Sequence, residues 1–391
     1  MNKKILCLIL LGLTIVSCGK NKNSSESSSS SIESTSSSVN ENQKFTVTWK
    51  DENGNVLETD KDVVLGSLPK YDGEALKKDK SDNTYYFFAG WNPSIEEVTS
   101  DVTYTAKFIE LNTTGNKGVE PIISEDGKTV YYGFYPQTHV KEQSIISQLE
   151  TLTPNSNGWV EYSGEYYTKE KANVYNNETY KFDDGTAITH GSSYWFKCEP
   201  IQWTILSGEG GYINLLSNML LDTSKFYDNY LNRTIGDNLV YSNNYKESKV
   251  RSFLNGEFYD KAFSLDNSHI KEVVVSNSSE TTDSDNNKYV SENTQDKVYL
   301  ASYRDYLNSS YGFESTNGLS TSRSCKTTDY TRARGAWLNP TTENLNCSTY
   351  WTRSATSEYY YCAWNVNSAG YLSTYAVDGS NHCIRPCISI G

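Results

Sequence analysis

Three features of the 391-residue chain predict an α+β fold. Short runs alternate apolar and polar residues, as in Phe45, Val47 and Trp49, and a period of two marks half-buried strands. Turn-forming glycines stand between such runs, at Asn53-Gly54 and within Ser207 to Gly211. Helical spacing is confined to short stretches. The clearest begins at Ser248, an N-cap residue type, and places Val250, Phe253, Leu254 and Phe258 on one face.

The N-terminus is read as an address. Lys3 and Lys4 precede an apolar run from Ile5 to Val16, shorter than the ~20 residues needed to span a bilayer and suited to a signal peptide. The run ends in Ile15-Val16-Ser17-Cys18, which resembles the lipobox of bacterial lipoproteins. That resemblance implies a signal over residues 1–18, acylation of the Cys18 thiol, and a membrane partner reached through the N-terminal lipid. The expected location is the bacterial cell envelope, on the outer face of the cytoplasmic membrane or on the outer membrane of a diderm host. Residues 19–43 come next, with eleven serines between Ser24 and Ser38. So polar a tract buries too little apolar surface to offset its chain entropy and is expected to be a tether.

Residues 44–110 form a small β module. After the strand Lys44 to Lys50 and the turn at Asn53-Gly54, Val56 to Thr59 supplies a return strand. Tyr85 to Trp91 and Val102 to Phe108 add two more. With Gly66, Pro69, Phe88-Ala89-Gly90-Trp91 and Thr103-Tyr104-Thr105-Ala106-Lys107-Phe108 in that order, the segment resembles the internalin B-type, or Listeria–Bacteroides, repeat. The resemblance implies a β-grasp-like fold serving as a spacer or adhesion module on a bacterial surface, with no catalytic residues.

A polar stretch from Asn112 to Gly118 leads into residues 118–391. Here Gln202 to Leu206 and Tyr212 to Leu216 predict a hairpin. Lys297 to Ala301 and Tyr371 to Val377 read as strands, and Glu280 to Asn287 as a polar loop. Six landmarks occur in order: Tyr132-Gly133-x-Tyr135-Pro136-Gln137-Thr138, Phe196-Lys197-x-Glu199-Pro200-Ile201-x-Trp203, Arg251-x-x-Leu254-Asn255-x-x-Phe258, Asp296-Lys297-Val298-x-Leu300-x-Ser302, Trp351-x-Arg353-Ser354 and Ile384-Arg385-Pro386. Together they resemble an uncharacterised bacterial exported domain of unknown function. The closing pattern is similar to the end of C-type-lectin-like domains and of formylglycine-generating enzymes, a likeness of fold that assigns no function.

Beyond the signal, six cysteines remain: Cys198, Cys325, Cys347, Cys362, Cys383 and Cys387. An even count in one exported domain predicts disulfides. Cys383 and Cys387 are four apart on a presumed strand, so each is expected to reach a different partner, Cys362 and Cys347 being the candidates. The competing reading takes His382-Cys383-x-x-x-Cys387 as metal or redox chemistry, the Cys pair resembling that of formylglycine-generating enzymes. No metal set, cofactor fingerprint or nucleophile motif occurs, and no catalytic residue is assigned. Asp283-Ser284-Asp285 lacks the glycine and distal glutamate of an EF-hand loop.

The net charge of −13 argues against nucleic acid as a partner. Aromatic residues are 13% of the chain. Near the C-terminus Tyr359, Tyr361, Trp364, Asn365 and Arg353 are candidate ligand-binding residues, since aromatic faces beside amide and guanidinium groups suit sugar rings and protein partners. Trp351, Trp364 and Arg385 are also read as core. The expected function is binding or adhesion at the cell envelope, towards a glycan or a protein. An exported enzyme is the alternative, and a structural envelope component the third reading.

Overall fold

The computed structural model describes residues 43–391. The signal, Cys18 and the serines from Ser24 to Ser38 lie outside the described residues. The α+β expectation is corrected: 38% of the structure is strand and 11% helix, against about 20–25% strand in an average globular protein. The helices are short. Ser248 caps the first turn as expected, its hydroxyl accepting from the Arg251 N–H at 3.1 Å, and Val250, Leu254 and Phe258 are buried. The stretch is nevertheless only one helical turn followed by a π turn and another short turn. Too few apolar residues recur at helical spacing to build a helical layer, so strands carry the core.

The N-terminal module is made of β1 (Lys44–Lys50), β2 (Val56–Val64), β3 (Thr84–Asn92) and β4 (Val102–Asn112). β1 pairs antiparallel with β2 and parallel with β4, and β3 lies antiparallel to β4. Val47 and Trp49 are fully buried, and Trp49 packs on Tyr104 and Trp91. The turn at Asn53-Gly54 is wider than a two-residue hairpin, because the Asp51 carboxylate accepts from the N–H groups of Asn53 and Asn55 and holds an Asp51–Asn55 loop.

The Asn112 to Gly118 stretch does not separate two bodies. β4 passes through parallel pairing at Asn112 to β5 (Ile122–Ile123), and β5 pairs with β6 (Thr129–His139). Beyond β6, after helix α1 (Gln143–Leu149), come β7 (Trp159–Tyr162), β8 (Glu165–Lys171), β9 (Ser193–Glu209) and β10 (Tyr212–Ser217). The result is one twelve-stranded sheet running from the N-terminal module into the rest of the chain. A second joint reinforces it. The Gly211 N–H donates to the Ala89 carbonyl, and a Cβ on Gly208 would stand 1.8 Å from the Phe88 carbonyl oxygen, so only glycine permits this approach. Ala89 and Leu111 belong to the main hydrophobic core.

The short strand β11 (Asp222–Thr223) and the hairpin of β12 (Arg233–Ile235) and β13 (Asn238–Val240) precede the capped turn α2 (Lys249–Phe253). A ribbon of β14 (Val273–Val275) and β15 (Thr294–Asp296) leads to β16 (Val298–Leu300), an edge of the large sheet. β17 (Tyr350–Ala355), β18 (Cys362–Val366), β19 (Leu372–Ala376) and β20 (Cys383–Ile384) join β11 in a five-stranded sheet. At Arg385 the chain leaves that sheet and enters the large one as β21 (Pro386–Ile390). Among the described residues no helix is long and apolar enough to cross a membrane.

Candidate functional site

The five-stranded sheet carries the most distinctive pocket. Register places Trp351, Asn365 and Ser373 in one row across β17, β18 and β19, with Tyr375 two residues further along the same face. Over this face lies a cavity of about 290 Å³. Its wall is completed by Trp337 and Tyr175, brought in by a local contact. Asn173 N–H donates to the Ala333 carbonyl, and Gly335, at φ +108°, leaves room for the Asn173 carbonyl 3.0 Å from where its Cβ would stand. The remaining lining is Thr349, Asn367, Asn381 and His382. No Asp, Glu, Lys or Arg side chain lines this cavity.

His382 is its most unusual member. The ring is 1% exposed, stacked 4.0 Å from Trp351 and tilted against Tyr375 at 4.6 Å. Neither ring nitrogen has a hydrogen-bond partner. Burial alone pushes its pKa down to about 3, so the imidazole is neutral in ordinary buffers and presents one donor and one acceptor. Asn365, also 1% exposed, accepts from the Ser373 hydroxyl at 2.7 Å. Its Nδ2 donates to no group among the described residues. For the His382 nitrogens, lacking a partner while buried costs about 1–3 kcal/mol.

The five candidate binding residues do not converge. Asn365 faces this cavity, whereas Trp364 points to the opposite side of β18, packs 4.4 Å from Tyr303 and donates to Asp283. Arg353 is buried against Asp305 and lines a different cavity, with the Leu300 and Ser276 carbonyls as further acceptors. Tyr359 and Tyr361 lie against each other in the loop before β18, Tyr359 half exposed. Trp351 is fully buried, and Arg385 is buried too, donating to the Ser217 carbonyl. Sequence reasoning missed Tyr175, Trp337 and Tyr375, and weighed His382 only alongside Cys383 and Cys387. They come from segments up to some two hundred positions apart, and no local pattern marks them.

Residues 215–391 match a family described as a domain of unknown function, DUF6273. Four of the six landmark motifs lie inside that span, while the Tyr132 and Phe196 motifs precede it. The pocket draws all its lining except Tyr175 from the DUF6273 region. No curated protein and no solved structure matches the chain.

The cysteines also differ from expectation. All six are free and buried. Each occupies an enclosed position, where a thiol acts as a small hydrophobe. Cys383 and Cys387 part company at Arg385, one on each sheet. Burial pushes the Cys387 thiol up to about 12 and raises Cys383 as well. A protonated, enclosed thiol is a poor nucleophile and a poor metal ligand. Among the described residues no group of three or more His, Cys, Asp or Glu is arranged to hold a metal ion. The Asp283 carboxylate is engaged by the Ser357 N–H and the Trp364 indole.

Proposed function

We propose that this chain is an envelope-displayed binding module whose pocket on β18 and β19 takes a neutral, hydroxyl-rich ligand of the glycan class. The observation that carries the reading is the pocket's chemistry. Ring faces of Tyr175, Trp337 and Tyr375 surround amide and hydroxyl groups with no charged side chain, and the buried His382 ring nitrogens lack partners there. Aromatic faces suit the C–H faces of sugar rings, and paired donors and acceptors suit their hydroxyls. A charged ligand would find no counter-ion in the lining. Display at the envelope is supported by Lys3, Lys4, the apolar run and the Cys18 lipobox. The N-terminal module, docked through a shared sheet, serves as a rigid spacer in this reading.

The test is calorimetric titration of residues 19–391 with neutral and acidic oligosaccharides chosen from an array. A neutral glycan should bind, and Tyr375→Ala, at a half-exposed position, should weaken it about tenfold or more while the folded circular-dichroism spectrum is retained. Absence of any neutral glycan from the bound set, or binding indifferent to both Tyr375→Ala and Trp337→Ala, overturns the reading.

A further inference from the structure

A second cavity, of about 180 Å³, lies on the large sheet between β10, β16 and the β14 ribbon. It is smaller than the roughly 300–1,000 Å³ of sites for drug-sized ligands. Two charged groups in its wall are incompletely matched. Arg353, 8% exposed, donates from Nε to the Ser276 carbonyl, and from Nη1 to the Leu300 carbonyl and to Asp305 at 2.8 Å. Its Nη2 makes no hydrogen bond among the described residues. At the rim, Glu209 accepts only from the Asn214 amide, at 3.2 Å, and pairs with no cation among the described residues.

The wall between these two groups is rigid and partly aromatic. The Tyr299 hydroxyl is held by Asn214 and Ser389, and Ser389 donates to Asn214 in turn. Tyr311 lines another side. Asp305 neutralises Arg353, so the cavity as a whole keeps the single negative charge of Glu209 while still offering an open guanidinium N–H. An anion alone would be repelled by Glu209. A cation alone would meet the Arg353 donor. We infer that this cavity binds a zwitterionic amino acid, its carboxylate accepting from Arg353, its ammonium donating to Glu209, and its side chain lying against Tyr299 and Tyr311. The assignment is independent of the glycan pocket, which lies on the other sheet.

The experiment is a titration of residues 19–391 with free amino acids, each compared with its N-acetylated and its C-amidated form. At least one free amino acid should bind at millimolar concentration or below, and blocking either end should weaken it about tenfold or more, since each block leaves one charged group without its partner. Glu209→Gln, an exposed change that leaves the core intact, should abolish the difference between the free and the N-acetylated ligand. Failure of every free amino acid to bind at about 10 mM, or blocked forms binding as tightly as free ones, overturns the assignment.

Discussion

His382 couples the stability of the fold to pH. Its imidazole, packed between Trp351 and Tyr375, has a native pKa near 3, against about 6.5 in an unfolded chain. Between those values the unfolded state binds a proton that the native state does not. The contribution of this residue is therefore complete above about pH 6.5 and is lost as pH falls towards 3, by about 1.4 kcal/mol per pH unit. Urea unfolding followed across this range should give a slope of that order, and His382→Phe should flatten it while keeping the ring stack. An unchanged slope would place the acid sensitivity elsewhere. Nothing in the sequence around Asn381-His382-Cys383 distinguishes this histidine from an exposed one. Its environment comes from Trp351 and Tyr375, on two other strands.

At the scale of elements, the last two strands decide what the cysteines do. The chain leaves the five-stranded sheet after Ile384 and enters the large one at Pro386, so spacing along the sequence says little about which core each thiol enters. The native chain should resist alkylation at Cys198, Cys325, Cys347, Cys383 and Cys387, with Cys362, 8% exposed and raised to about 11, reacting slowly if at all. Denaturation of residues 19–391 without reductant should release six reactive thiols. Fewer than six would mean that bridges form after all. Strand-forming alternation at Phe45, Val47 and Trp49, the Gly210-Gly211 turn and the Ser248 cap were legible because each is a local signal. The α+β class failed because strands dominate, and the short helical run after Ser248 builds no layer of its own.

Across the whole molecule, the feature hidden from sequence reasoning is the continuity between the N-terminal module and the rest of the chain. Asn112 to Gly118 has a linker's composition, yet its ends are ladder residues, and Gly208 admits the Phe88 carbonyl only because it lacks a side chain. Pairing between strands this far apart leaves no periodic trace. The pocket was partly legible, through Asn365 and the aromatic richness of the C-terminal region, but its convergence depends on tertiary folding. Calorimetry of residues 19–391 should record one cooperative unfolding transition. Gly208→Val should push β3 from the β9–β10 turn and split the profile in two, the module melting first. Two transitions in the unaltered chain would show that the joint contributes little.

The parallel pairing of β1 with β4 also governs how the molecule carries tension. A pull applied at Gln43 enters at the start of β1, while the load passes on to the remainder from the far end of β4, at Asn112. Because the strands run in the same direction, these two points lie at opposite ends of the ladder. The bonds from Val47–Val102 to Lys50–Thr105 are then strained together in shear, not opened one at a time like a zipper. Tension applied between Gln43 and the rest of the chain is thus resisted through the geometry of the first strand.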